Sequence, residues 1–240
     1  DKLDDHENIV SVIDYGSEPL PWIAMEYMDG GELTERTEGM PLEEKLWVAS
    51  EIADGALVGW YQGNLEMGPR ALGNRSILAD PRTIDSLDRV NDFVKHREGW
   101  RPFAPSMLEE AVDTYLVNGE PSPYMIKTFD SVPEKRDEIV AVLHPGDKTT
   151  RPQTVREEQN PRYYRLIREF ENITDVPVLL NTSFNDHGEP IVTKPDEAVR
   201  DFFGMGLDLL VLEDVVLEKP ASKGPTSEST QAAQPPESED

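Results

Sequence analysis

The sequence predicts an α/β domain in which a mixed, twisted sheet surrounds an open cleft. Apolar runs short enough to be buried strands occur at 56–61 and 176–180. Between them, apolar residues recur with the period of amphipathic helices, as at 84–94 and 161–170. Glycine and polar clusters follow the strands, and ligands of open α/β sheets bind beyond the carboxyl ends of strands. These three observations indicate a sheet with a binding site at one end.

Composition divides the chain into three parts. Its 240 residues allow one large domain or two small ones. We assign 1–54 to a small α+β fragment, 55–218 to the α/β domain and 219–240 to a tail. The tail is rich in Pro, Ser, Thr, Gln and Glu and has no apolar period, which predicts that it is disordered.

The elements can be predicted in chain order. Trp22–Met28 has strand propensity, and the apolar residues between 42 and 53 recur at helical spacing before Gly55 ends the helix. Gly68 and Pro69 are interpreted as the entry to a helix, because proline presets φ for a first helical turn. Further predicted elements are a helix from Ile84 that ends at Lys95, a helix at Met107–Leu116, a buried strand at Glu138–Leu143, a helix at Pro161–Phe170, a helix at Pro195–Phe203 and a strand at Leu207–Leu212.

The charge balance limits the classes of partner. The chain has 48 acidic and 23 basic side chains, a formal net charge of −25 and an isoelectric point near 4.4. General binders of nucleic acid or of anionic membranes need a basic face, so we expect neither partner. Such acidity also suits a protein that stays soluble in concentrated salt, where the repulsion between its charges is screened.

The rarer residue types give further exclusions. The chain has no cysteine, so it has no disulfide framework and no thiolate metal site, and a reducing cytoplasmic setting is expected. No apolar run approaches the length of about 20 residues needed to span a bilayer. Only four histidines occur and none shows the spacing of metal ligands, so no metal site is predicted.

Basic side chains in a glycine-rich stretch point to an anion site. Arg70 and Arg75 lie five residues apart between Gly63 and Arg82, where glycines allow a close backbone approach to a ligand. Guanidinium groups bind phosphate through paired hydrogen bonds. A turn with solvated arginines is the alternative that this stretch leaves open.

Three other segments carry comparable groups. Arg101 is followed by prolines, which make the backbone stiff. A cation that is held in a fixed position loses less entropy when a ligand binds. Arg151 follows two threonines in a short extended run. Asn181 and Ser183 follow the apolar strand 176–180, so they lie where a ligand is expected.

The first part of the chain resembles the middle of a protein kinase domain. His6–Val10 is similar to the approach to the fourth kinase strand, Met25–Met28 to the hinge, and Gly30–Leu33 to the turn into the next helix. The motifs that perform kinase chemistry have no counterpart in the sequence, so kinase activity is not expected. A chimeric reading frame joined within Glu51–Ala56 explains the segment, and a regulatory module is the alternative.

Four ordered motifs in the rest of the chain resemble one family. They are Gly-Pro-Arg-Ala-Leu-Gly-Asn-Arg-Ser at 68–76, Arg-Pro-Phe-Ala-Pro-Ser at 101–106, Arg-Pro-Gln-Thr-Val at 151–155 and Asn-Thr-Ser-Phe-Asn at 181–185. This set is similar to the carboxy-terminal, YrdC-like domain of O-carbamoyltransferases of the NodU/CmcH type. The resemblance covers about residues 54–218 and implies a YrdC-like mixed sheet. Residues 145–150 depart from the family's usual Val-Asp-Gly-Thr-Ala.

The resemblance also implies a reaction. In that family the YrdC-like domain uses ATP, with Mg²⁺ as its candidate counter-ion, and carbamoyl phosphate to make carbamoyl-adenylate. A separate actin-like amino-terminal domain, which holds iron through histidines, passes the carbamoyl group to a hydroxyl. Residues 1–55 show no counterpart of that domain, so this chain alone is expected to perform at most the adenylation half-reaction.

Matching motif by motif assigns the site residues. The resemblance implies phosphate-handling roles for Arg70, Lys95, Arg101 and Arg151, nucleotide or carbamoyl contacts for Asn181 and Ser183, and a secondary cofactor contact for Arg75. Two other readings stay open. One is a non-catalytic remnant or nucleotide-binding module, and the other is an enzyme of threonylcarbamoyl-adenylate synthesis or a double-stranded RNA binder.

Overall fold

The computed structural model describes residues 9–16, 22–25, 42–96, 98 and 101–219, with side chains from Leu46 onward. Within these residues there are eleven strands, which are β1 (Ile9–Gly16), β2 (Trp22–Met25), β3 (Val58–Tyr61), β4 (Arg75–Ala79), β5 (Ala104–Leu108), β6 (Phe129–Asp130), β7 (Thr149–Thr150), β8 (Gln153–Val155), β9 (Val178–Ser183), β10 (Leu209–Leu212) and β11 (Val215–Glu218). The α-helices are α1 (Leu42–Ala53), α2 (Ile84–Arg89), α3 (Val112–Tyr115), α4 (Pro161–Thr174) and α5 (Pro195–Gly204).

Nine strands form one mixed sheet in the order β2-β1-β11-β10-β3-β4-β9-β5-β8, and β6 and β7 form a separate pair. Strand β9 runs antiparallel to β4 on one side and to β5 on the other, and β8 runs parallel to β5. The carboxyl ends of β3 and β9 therefore meet the amino ends of β4, β5 and β8. We call this the Ser183 end of the sheet. The predicted mixed sheet is confirmed.

The central strands are buried on both faces. All four residues of β3 and all five of β4 are buried, as expected for strands covered by helices. Helix α4 packs its apolar face, Tyr163, Leu166, Ile167 and Phe170, into the core, and its amino terminus is capped by the side chain of Asn160. The sheet therefore has the rigidity that a site at its end requires.

Three sequence-based predictions of elements are wrong. Gly68 and Pro69 lie in an irregular loop, 62–74, and Arg75 begins strand β4 rather than following a helical turn. The Glu66 carboxylate accepts hydrogen bonds from the N–H groups of Leu72, Asn74 and Arg75, which stabilises the loop without a helix. A side chain thus supplies acceptors that a helix would otherwise provide.

The other two errors concern apolar runs. Glu138–Leu143 belongs mostly to a 3-10 helix, Pro133–Val142, rather than to a strand, although Ile139 and Val142 are buried as predicted. A short apolar run does not distinguish a buried strand from a buried helical turn. In Met107–Leu116 the first residues end β5, and only the part after them is helical, as a 3-10 turn followed by α3.

The helices at 42–53, 84–95, 161–170 and 195–203 are confirmed, the second continuing as a π-helix, Val90–Lys95. Most of the kinase-like residues, including 6–8, 26–28 and 30–33, lie outside the described residues, as does the predicted disordered tail beyond Lys219. Strand β1 is described, and it pairs in parallel with β11.

Candidate functional site

A cleft of about 450 Å³ opens at the Ser183 end of the sheet. Lys95, His96, Glu98 and Arg101 line one side, and Thr182, Ser183, Asn185, His187 and Gly188 line the other. The first group comes from the end of the π-helix and the segment before β5, and the second from the end of β9 and the turn after it. The structure therefore brings three predicted site residues, Lys95, Arg101 and Ser183, to one cleft.

Lys95 is a buried cation that holds the turn after β9. Its side chain is only 6% exposed, and Nζ donates to the carbonyl oxygen of Ser183 at 2.7 Å. It also donates to the carbonyl oxygen and to Oδ1 of Asn185, both at 2.9 Å. These bonds place a positive charge at the floor of the cleft, where the low dielectric strengthens its attraction for an anion.

Arg101 and Ser183 are more accessible. Arg101 is about half exposed and its Nε contacts Oε2 of Glu98 at 2.9 Å, an ion pair that solvent screens. Ser183 Oγ donates to Oδ1 of Asn185 at 2.5 Å. The cleft thus offers a cation, a hydroxyl and an amide on opposite walls.

A second cavity of about 200 Å³ is lined in part by the residues that follow Arg101 in the chain. Pro102, Phe103, Thr150 and Arg151 are among the residues that line it. Burial lowers the pKa of Arg151, and the positive charge of Arg70 lowers it further. Arg70 is exposed on the loop 62–74, so cations from two different segments lie close enough for their charges to interact.

Arg70 and Arg151 differ from the other arginines of this acidic protein. Neither forms a hydrogen bond or an ion pair with any residue that the structure describes. Every other arginine with a described side chain has such a partner. Guanidinium groups without an acidic partner keep their hydrogen-bond donors and charge available for an anion.

Arg75 lies apart from both cavities. It is only 3% exposed, its Nη1 donates to the carbonyl oxygen of Gln62 at 2.5 Å, and its Nη2 donates to that of Gly63 at 3.0 Å. The guanidinium carbon lies 3.5 Å from the centre of the Tyr61 ring. These contacts fasten the start of the loop 62–74 to strand β4.

Asn181 is also buried and lines neither of these two cavities. Its Nδ2 donates to the carbonyl oxygen of Ala71 at 3.2 Å and to Oγ of Ser106 at 2.9 Å. Its Oδ1 has no hydrogen-bond partner among the described residues. Asn181 therefore lies below the loop that carries Arg70 rather than on the surface of the cleft.

The sequence-based assignment missed three polar residues of this region. Ser106 and Gln153 belong to quoted motifs, and both are buried, as is common for strand residues that bond to each other across a sheet. Glu66 binds three N–H groups of the loop. A polar residue inside an otherwise apolar strand was the signal available for Ser106.

Two kinds of feature are absent from the described residues. Within 42–96, 98 and 101–219, no three histidine, aspartate or glutamate side chains converge as metal ligands would. In the same part of the chain no helix is both long and apolar enough to cross a membrane.

Comparison with known proteins identifies the family. The model of the carbamoyltransferase C-terminus family matches residues 49–219, which include the whole sheet from β3 to β11. This chain belongs to the carbamoyltransferase C-terminus family. It therefore forms the carboxy-terminal domain of NodU-type carbamoyltransferases, as its motifs predicted.

Relatives of known name support the assignment. The chain is 47% identical over 174 residues to the nodulation protein NolNO of Sinorhizobium fredii, a match covering 71% of this chain and 25% of that protein. It is 37% identical over 179 residues to the 3'-hydroxymethylcephem-O-carbamoyltransferase of Amycolatopsis lactamdurans, covering 75% of this chain and 34% of the enzyme. The chain thus spans about a quarter to a third of the length of these relatives.

Solved structures show the same fold at low identity. Sua5 of P. abyssi, solved with L-threonine, superposes with a TM-score of 0.53 at 16% identity over 76% of this chain and 49% of that one. Full-length HypF, solved in a phosphate- and nucleotide-bound form, superposes with a TM-score of 0.52 at 21% identity over 75% of this chain and 22% of that one. The YrdC-like fold is therefore confirmed.

Proposed function

We propose that this domain binds ATP and carbamoyl phosphate and joins them into carbamoyl-adenylate. The observation that carries the proposal is the pair Arg70 and Arg151, two cations whose charges interact and which have no hydrogen-bond or ion-pair partner among the described residues. In a chain with a net charge of −25, acidic side chains are abundant, so cations that remain unpaired are available to an anionic ligand.

The two cavities suit two different ligands. The Arg70 and Arg151 pair suits the phosphate group of carbamoyl phosphate, because guanidinium forks match phosphate oxygens through paired hydrogen bonds. The larger cleft, about 450 Å³, lies within the usual size range of small-molecule sites and suits the nucleotide. There Lys95 and Arg101 would face its phosphates, and Ser183 would donate a hydrogen bond. Mg²⁺ would enter with the phosphates of ATP.

The reaction needs positioning and charge neutralisation rather than a protein nucleophile. Water cleaves carbamoyl phosphate to carbamate and inorganic phosphate. A carbamate oxygen then bonds to the α-phosphorus of ATP, the bond from that phosphorus to the bridging oxygen breaks, and pyrophosphate leaves with the electron pair. Cations placed around the phosphates stabilise the charge that develops in this step.

Two further parts of the proposal concern the whole protein. Transfer of the carbamoyl group to a hydroxyl acceptor, with release of AMP, would require a second, actin-like domain. We expect the reaction to take place in the cytoplasm, where ATP is available.

Calorimetric titration tests the binding step. ATP is titrated into the purified chain with and without carbamoyl phosphate, in low and in molar salt, for the wild type, Arg101→Ala and Arg165→Ala. We expect saturable binding that weakens in Arg101→Ala and persists in Arg165→Ala, an exposed arginine paired with Glu157. If the wild type does not bind ATP at any salt concentration, with or without carbamoyl phosphate, the domain is a non-catalytic remnant and the proposal is wrong.

A further inference from the structure

Three polar side chains from three of the sequence motifs meet in one buried network. Ser106 on β5, Gln153 on β8 and Asn181 on β9 are each at most 5% exposed. Ser106 Oγ donates to Oε1 of Gln153 at 2.7 Å and accepts a hydrogen bond from Nδ2 of Asn181 at 2.9 Å. The strands bring them together, because Ser106 lies opposite Gln153 in the β5–β8 register.

This network reaches the fourth motif through two backbone carbonyl groups. Gln153 Nε2 donates to the carbonyl oxygen of Leu72 at 2.8 Å, and Asn181 Nδ2 donates to that of Ala71 at 3.2 Å. These are the two residues that directly follow Arg70. On the other side of the same segment, the N–H of Leu72 donates to Glu66 at 2.7 Å. The backbone next to Arg70 is thus held from both sides.

The same network is tied to Arg151. Gln153 begins strand β8 two residues after Arg151, so the side chain that holds the Arg70 loop belongs to the strand that presents Arg151. Arg70 and Arg151 carry like charges, and without a ligand their repulsion would move the exposed Arg70 loop away. The hydrogen bonds from Gln153 and Asn181 to the loop oppose this movement.

We propose that Ser106, Gln153 and Asn181 are positioning residues that hold Arg70 opposite Arg151, so that the anion site exists before the ligand arrives. This inference rests on the proposed function for its consequence, tighter binding of carbamoyl phosphate. It assigns Asn181 a role through the loop rather than in contact with the nucleotide. Preorganised donors bind more tightly because less ordering remains to be done on binding.

The experiment compares two network variants with a matched control. Gln153→Met keeps the side-chain length and removes the donor to Leu72, and Ser106→Ala removes the hydroxyl that links the two amides. Ser86→Ala is the control, since Ser86 is also a buried serine, 3% exposed, bonded to the hydroxyl of Thr83. For each protein we would measure the affinity for carbamoyl phosphate by calorimetry and the amide hydrogen exchange of 66–75 by mass spectrometry.

We expect both network variants to bind carbamoyl phosphate about tenfold more weakly, the scale of one lost hydrogen bond, and their 66–75 amides to exchange faster. Ser86→Ala should match the wild type in both measurements. In an Arg70→Ala background, Gln153→Met should weaken binding no further, because the network acts through Arg70. A purely structural effect would instead add to the loss in that background and would contradict the proposal.

The remaining outcomes separate this inference from the proposed function. If the wild type binds carbamoyl phosphate and both network variants bind it equally well, the inference is wrong and the proposed function stands. If the wild type does not bind, the proposed function fails, and hydrogen exchange alone decides. Faster exchange at 66–75 in both variants but not in Ser86→Ala would support the positioning role, and unchanged exchange would overturn it.

Discussion

The arginines of helix α4 differ from those at the Ser183 end of the sheet in whether they have acidic partners, although both groups lie in the same acidic chain. Arg162 on α4 binds Glu213 at 3.0 Å and Asp214 at 2.6 Å. The charges of Arg151 and Arg70 interact, and neither has an acidic partner among the described residues. With 48 acidic side chains in the chain, pairing is the expected state of a cation.

We interpret the difference as one between cations that stabilise the fold and cations that are available to bind a ligand. A paired guanidinium such as that of Arg162 has its charge neutralised within the fold and has little affinity left for phosphate. An unpaired one next to a like charge gains more from an anion than from solvent, because the anion also relieves the repulsion. Removing residues of each kind should therefore change different properties of the protein.

The largest effect is expected for the double variant Arg70→Ala/Arg151→Ala. Charge-assisted hydrogen bonds contribute about 1.5–3 kcal/mol each, so losing both groups should weaken carbamoyl phosphate binding about 1000-fold, or about 4 kcal/mol. The control is Arg165→Ala/Arg200→Ala, which removes the same charge from two ion-paired positions. Equal losses of affinity in the two double variants, measured by calorimetry, would remove the distinction between the two kinds of arginine.

A glycine in the loop that carries Arg70 tests how rigidly that loop is fixed against the core. Gly73 has a φ of +93°, and a Cβ there would lie 2.2 Å from Cδ1 of the buried Tyr163. Gly73→Ala should lower the free energy of unfolding by about 3 kcal/mol, combining backbone strain with overpacking. Gly68 has a φ of +112° but open space around it, so Gly68→Ala should lower it by about 1 kcal/mol.

Urea unfolding followed by circular dichroism measures both glycine variants. If Gly73→Ala were no less stable than Gly68→Ala, the loop would have room to move away from Tyr163. The interpretation that the loop carrying Arg70 is fixed against the core would then be wrong.

The variant Arg162→Ala tests the role of an arginine that is paired with acidic residues. Asp214, whose side chain is only 14% exposed, would lose a partner at 2.6 Å, so Arg162→Ala should lower the free energy of unfolding by about 1 kcal/mol. Its affinity for carbamoyl phosphate should equal that of the wild type. Weaker carbamoyl phosphate binding in this variant would show that paired arginines also serve the site.

The smallest effect concerns an acidic residue at the start of α5. Hydrogen bonds from the backbone and hydroxyl of Thr193 and from the backbone of Lys194 lower the pKa of Glu197 from 4.5 to about 2. Because the pKa is lower in the folded state, this contribution is fully present above about pH 4.5 and is lost as the pH falls through about 2.

Thermal unfolding between pH 5 and pH 2 checks the sign of that effect. The midpoint temperature of Glu197→Gln should fall less steeply over this range than that of the wild type, with Asp196→Asn on the same turn as the control. A steeper fall in Glu197→Gln would contradict the assignment.

Much of the fold could be predicted from periodicity, and the strands of the site could be predicted only in part. Helix α4 and strand β9 have long or strongly apolar patterns, and both were predicted. Strand β4 was missed. The loop before it is stabilised by hydrogen bonds to the Glu66 side chain, and local sequence patterns do not encode contacts between residues so far apart in the chain. The 3-10 segment Pro133–Val142 was mistaken for a strand because burial alone does not fix the backbone.

The candidate site shows the same limit. The family resemblance identified Lys95, Arg101 and Ser183, which the structure gathers at one cleft. It gave no means to separate Arg70, whose charge acts on Arg151, from Arg75, which is bonded to backbone carbonyl groups. That distinction depends on the partners that each side chain meets in the fold, and local sequence patterns do not specify them.

Pyrophosphate release from ATP tests the central claim most directly. The wild type and Arg151→Ala are incubated with ATP and Mg²⁺, with and without carbamoyl phosphate, and pyrophosphate is measured over time. We expect release by the wild type only when both substrates are present, accompanied by carbamoyl-adenylate in the mass spectrum, and at least about a hundredfold less release by Arg151→Ala. Binding of both ligands without pyrophosphate release, or equal release by the two proteins, would contradict this claim.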